Sequence, residues 1–124
     1  DDIGAHIASG SFRTAGMIVA PCSIHTLSAI AASAADNLLV RAADVQLKER
    51  RKLVLLVRET PLHLGHLRAM AAATEIGAII APPVPAFYHR PCSMSEAIDH
   101  IARRAIGLLD HDLGLPSREW DGQD

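Results

Sequence analysis

The sequence predicts an α/β fold: an open parallel sheet with helices on both faces. Three observations predict it. The run LVLLV at 53–57 is too apolar for an alternating, half-wet strand and too short to span a membrane, so it reads as a central parallel strand covered on both sides. Buried-type runs of the same kind stand at 16–20 and 78–81, set among stretches of helical periodicity. The first of these runs passes almost directly into a Ser-capped helix, a strand-to-helix junction that leaves backbone N–H groups and a positive dipole end exposed.

In chain order, residues 1–14 are irregular by composition, with Ala8, Ser9, Gly10 and Ser11 forming a turn that leads toward a strand at Gly16. Such a start suits a loop better than the opening of a domain, and the first strands of the sheet are expected ahead of Asp1. Gly16 to Ala20 forms a strand, ended by Pro21-Cys22-Ser23. The run 23–35, SIHTLSAIAASAA, then forms a small-residue helix with Ser23 as N-cap and Thr26 in its first turn. The two hydroxyls beside free N–H groups outline a phosphate cradle. No G-x-G-x-x-G accompanies it, so a mononucleotide phosphate fits better than a dinucleotide.

A second helix begins near Asn37. The hundred-degree step places Leu38, Ala42 and Val45 on one side and Arg41, Asp44 and Lys48 in a stripe beside them. That stripe is either a solvated face with an Asp44–Lys48 pair or part of a binding surface. The central strand follows and ends in Arg58-Glu59-Thr60-Pro61. Ligands of open α/β sheets sit outside the carboxyl ends of the strands, so an arginine and a glutamate there suit an anionic ligand and a proton transfer.

The segment 62–77 forms a third helix closed by Gly77. His63 and His66 share a face of it; two histidines without a third ligand read as surface or packing residues ahead of a metal site. After the strand at 78–81, PPVPAFYHRP stiffens a loop at the sheet's carboxyl side. Phe87 and Tyr88 are there either as a core plug or as a wall for a flat or apolar ligand. Ser93 and Glu96 form a capping box for a last helix, with Ala97, Ile98, Ile101, Ala105, Leu108 and Leu109 as its apolar stripe, Arg104 on the border and Arg103 pointing away. Residues 1–111 form one domain, and 112–124 a polar tail.

Composition narrows the function. With 124 residues the chain supports one core. Twelve basic against fourteen acidic side chains leave no electrostatic footprint for nucleic acid or an anionic membrane, and a small, locally charged ligand is the better partner. Cys22 and Cys92 lie far apart without metal-type spacing and read as reduced thiols of a cytoplasmic protein.

Motifs spread along the chain carry a resemblance. ASGSF at 8–12, GMIVAPCSIHTLSAIA, RAADVxLKExRKLVLxxRExP and PAFYHRP together resemble the flavin prenyltransferases of the UbiX kind, formerly described as aromatic acid or 3-octaprenyl-4-hydroxybenzoate decarboxylases. The resemblance implies a three-layer, Rossmann-like (flavodoxin-like) sheet and an enzyme that joins a dimethylallyl group from dimethylallyl phosphate to N5 and C6 of reduced FMN. It implies that Ser23, Ile24, His25, Thr26 and Arg58 contact FMN, and that Arg41, Lys48, Tyr88 and Arg104 grip the prenyl phosphate. Glu59 is then the acid/base residue, assisted by Lys48 and Arg41, and no metal is expected. A decarboxylase using the prenylated flavin is the implied partner, and a dodecamer with sites at subunit contacts the implied assembly. Two other readings stand beside it. A cysteine decarboxylase on the same fold would carry an Asn- and Met-containing motif where this chain has PPVPAFYHRP; a non-catalytic flavin-binding or assembly subunit would retain flavin without turnover.

Overall fold

The computed structural model describes residues 16–84 and 93–109. Their elements run β1 (Gly16–Cys22), α1 (Ile24–Ala31), α2 (Leu38–Lys48), β2 (Lys52–Val57), α3 (Leu64–Glu75), β3 (Ala78–Ile80) and α4 (Met94–Gly107). The three strands are parallel in the order β1-β2-β3, so LVLLV is the central strand that its composition requires.

Every residue of that run is buried because the two faces of β2 serve two cores. Leu53, Leu55 and Val57 pack with Val19 of β1, Leu27 and Ile30 of α1, Val40 and Ala43 of α2, and Ala73 of α3. Val54 and Leu56 point the other way and meet Ala105 and Leu109 of α4's end, with Ile18 and Ile79 beside them. Among the described residues, alternation along one strand thus places three helices on one face and a single helix on the other. Gly16 makes the close approach of α4's end possible: a Cβ there would lie 2.5 Å from Leu109 Cδ2 and 3.2 Å from the Lys52 carbonyl oxygen. Since Gly16 pairs with Lys52 at the start of both strands, Leu109 marks the amino edge of the sheet.

Three helix starts follow from their caps. Ser23, Asn37 and Ser93 are all extended, and the side-chain oxygen of each accepts the N–H three residues on, at 3.1, 2.8 and 3.1 Å. The ends differ from expectation. The helix expected over 23–35 stops at Ala31, where the Ser33 N–H donates to Ile30 O and the Ala34 N–H to Ala29 O, with Ser33 left-handed at φ 55°. The end of α2 repeats the pattern. Arg50 (φ 58°) donates to Leu47 O and Arg51 to Gln46 O. Both are Schellman closures made without the usual glycine. Gly77 (φ 112°) closes α3, as its position predicts.

Other expectations are corrected. β1 continues through Pro21 to Cys22, because the missing N–H of Pro21 falls where the register with β2 shifts, between Val19 and Cys22. Leu38 is exposed, while α2 buries Val40, Ala42, Ala43, Val45 and Gln46. On α4, Ile98 is 58% exposed, and the buried part of the stripe is confined to its C-terminal half. Among the described residues no ion pair joins Asp44 to Lys48, and no helix is long and apolar enough to cross a membrane.

Candidate functional site

Parallel strands bring their carboxyl ends to one edge, and β1 and β2 are locked there. Cys22 pairs with Val57, and the Arg58 N–H donates to the Cys22 carbonyl at 3.3 Å. The residues that follow each strand are therefore neighbours: Ser23 to Thr26 after β1, Arg58 and Glu59 after β2. β3 joins the same edge through the Ala81 N–H, which donates to Leu55 O at 2.9 Å. The chain then enters the segment that contains Tyr88, which lies outside the described residues, as does Cys92.

At the α1 start, Ser23 Oγ accepts from the Thr26 N–H at 3.1 Å and donates to Thr26 Oγ1 at 3.0 Å, which fixes both hydroxyls beside the helix end. The first-turn N–H groups of Ile24 and His25 have no partner within an α-helix and face outward with the positive end of the dipole. Ser23 and His25 are exposed, Ile24 and Thr26 half-buried. Just behind, Cys22 is fully buried and its thiol donates to the Ser23 carbonyl at 3.6 Å. Burial raises that thiol from 9.0 to about 11, so it is an inert packing group.

Arg58 and Glu59 lie just past the last residue of β2 and are both exposed. Among the described residues, the side chains of Arg41, Lys48, Arg58, Glu59 and Arg104 form no hydrogen bond or ion pair. Arg103, next to Arg104, shows the contrast: its Nε is 2.8 Å from Asp99 Oδ2. Both arginines are exposed, so the border position read for Arg104 does not bury it; what differs between them is the ion pair.

Arg41 lies in the first turn of α2, the end remote from the start of β2, whereas two other helix cations stand apart from the edge where Arg58 is. Lys48 ends α2 shortly before Lys52, the first residue of β2, so roughly 20 Å of strand separates it from Arg58. Arg104 precedes Gly107, the end of α4, by three residues, about 4.5 Å of helix, which puts it toward the amino edge marked by Leu109 and on the helix of the opposite face. One chain brings Ser23–Thr26 together with Arg58 and Glu59. It does not bring Lys48 and Arg104 to them.

Sequence reasoning set His63 and His66 aside as surface or packing residues. They form a reciprocal cap on α3: the His66 N–H donates to His63 Nδ1 at 3.3 Å, the His63 N–H to His66 Nδ1 at 3.4 Å, and the rings stack with centroids 3.6 Å apart. The H-x-x-H spacing is that of a capping box, with imidazoles in place of Ser and Glu.

Residues 3–102 match the model of the family described as Flavoprotein. The flavin prenyltransferase UbiX of Thauera aromatica is 60% identical over 124 residues, which cover 100% of this chain and 63% of that protein. The crystal structure of AnUbiX in complex with FMN and dimethylallyl pyrophosphate matches with a TM-score of 0.87 at 50% identity, covering 99% of this chain and 65% of that one. The structure of a dodecameric FMN-dependent UbiX-like decarboxylase from Escherichia coli gives 0.81 at 48% identity, covering 94% and 61%. The chain thus shares its fold with these proteins and spans a little under two thirds of their length. On the family match over most of its residues, the chain belongs to the flavoprotein family.

Proposed function

We propose that this chain is part of a flavin prenyltransferase that joins the dimethylallyl group of dimethylallyl phosphate to N5 and C6 of reduced FMN. One observation carries the reading: the Cys22–Val57 register sets at one sheet edge a hydroxyl-capped helix start and an arginine and glutamate that are unpaired among the described residues. That donor set fits a flavin mononucleotide. The N–H groups of Ile24 and His25 and the hydroxyls of Ser23 and Thr26 suit its phosphate, and Arg58 adds a cation. Reduced FMN, when bound, supplies the nucleophilic positions.

The chain's own residues supply the rest. Departure of phosphate from the allylic carbon of the singly protonated ester leaves a dispersed cation and a hydrogen phosphate dianion, and Arg41, Lys48 and Arg104, with the hydroxyl of Tyr88, stabilise that dianion. Glu59 gives a proton to the double bond that remains in the transferred group and takes the one that must leave the ring carbon. Because Lys48 and Arg104 stand away from Glu59 within a chain, neighbouring copies supply them, in a homo-oligomer like the dodecamer of the Escherichia coli relative. A separate decarboxylase is the consumer of the product.

The test is anaerobic incubation of the full-length protein with reduced FMN and dimethylallyl phosphate, followed by mass spectrometry. The expected product is flavin carrying one added five-carbon unit. Flavin retained without that adduct would instead make the protein a flavin-binding subunit.

A further inference from the structure

We propose that His63 and His66 are positioning residues that set where Glu59 stands, an inference that rests on the acid/base reading of Glu59. The connection from β2 to α3 is only six residues, 58–63. Its first residue is held by the Arg58 N–H on the Cys22 carbonyl, and its last by the reciprocal imidazole cap. Between these anchors Glu59 is exposed, and its side chain has no partner among the described residues. Its place is therefore set by the backbone. Pro61 fixes one φ of that backbone and restricts Thr60 before it.

The cap is built from both directions. Each Nδ1 accepts a backbone N–H, so in the neutral rings the proton is on Nε2, and the stacked faces hold the two rings in register. Gly65 completes it: a Cβ there would lie 2.7 Å from His63 Cε1 and 3.0 Å from His63 Nδ1, so only glycine lets the ring fold back over the first turn. A single Ser or Asp cap would satisfy one helix N–H. The reciprocal pair also ties down the N–H of His63, the residue through which the loop arrives.

The experiment compares His63→Ala/His66→Ala with His63→Ser/His66→Glu, which restores a reciprocal cap with ordinary capping groups. In the full-length, flavin-loaded protein the alanine pair is expected to lower kcat by about 10- to 100-fold, the scale of an ångström-level misplacement, with KM for the prenyl donor and FMN retention little changed. The Ser/Glu pair is expected to return kcat to within about threefold of the parent. Amide hydrogen exchange in the flavin-free protein should rise at positions 63 and 66, whose N–H groups the cap holds, in the alanine pair and return in the Ser/Glu pair. Unchanged kcat and exchange in the alanine pair would overturn the proposal. So would a Ser/Glu protein with α3 protected from exchange and kcat still at the alanine level. Glu59→Gln, measured alongside, separates the two readings: unchanged turnover there removes the role of Glu59 itself, while lost turnover there with full turnover in the alanine pair removes only the positioning.

Discussion

The Arg58 N–H donates to the Cys22 carbonyl, and this 3.3 Å bond joins the end of one strand to the residue before Ser23 on the next. The two halves of the candidate site are therefore parts of one rigid edge, and changes to either half should be read separately.

On the acid/base side, Glu59→Gln keeps the shape and removes the carboxylate. FMN binding is expected to be unchanged, and prenyl transfer to fall by about 100- to 10,000-fold, the usual contribution of a positioned general base. Single-turnover kinetics with flavin saturating checks it.

On the anion side, Ser23→Ala deletes the bond to the Thr26 N–H and the hydroxyl contact to Thr26. A loss of about 1 kcal/mol in urea denaturation is expected. Flavin titration should show weaker FMN binding, and saturating FMN should restore transfer.

If neighbouring copies complete the site, two dead variants should rescue each other. Lys48→Ala and Glu59→Gln proteins, each inactive alone, are expected to recover part of the parent turnover when unfolded, mixed and reassembled. No recovery from verified mixed oligomers would place Lys48 and Glu59 in the same chain's site.

Ser33 and Arg50 hold left-handed backbone at two helix ends where glycine costs least. Ser33→Gly and Arg50→Gly are each expected to stabilise by about 0.5–1 kcal/mol, and the two gains to add, since the sites cap different helices. A rise in the urea midpoint at constant slope is the readout.

Cys22 sets an alkaline limit. The folded chain keeps this thiol protonated to about pH 11, while the unfolded thiol ionises near 9.0. The folded state thus holds the extra proton between those values, and stability, full below pH 9, falls as pH rises through that window. Cys22→Ala should flatten that decline in chemical denaturation curves, and the native thiol should resist alkylation at pH 8.

The physical reasons that made parts of this fold legible also explain what was missed. LVLLV announced its place because a strand buried on both faces cannot carry a polar residue. Ser23, Asn37 and Ser93 announced helix starts because their side chains substitute for missing backbone acceptors. The end of α1 was invisible: an alanine-rich run carries no stop signal, and the residue that turns left-handed there is a serine. Pro21 read as a strand break because its effect depends on register, which only the partner strand sets. For the site, the edge residues followed from strand ends, whereas the separation of Lys48 and Arg104 from that edge required the topology. The histidine cap escaped because imidazole is not an expected capping group, and its meaning lies in a reciprocity that spacing alone does not display.

Leu109 seated on Gly16 gives the last helix a fixed phase. With its final residues clamped over the sheet, one residue added within α4 could not be absorbed at that end; it would swing everything upstream by about 100° and lift it by 1.5 Å. The span from Ser93 to Leu109 is in that sense a gauge, and its length is as much a part of the design as any side chain along it.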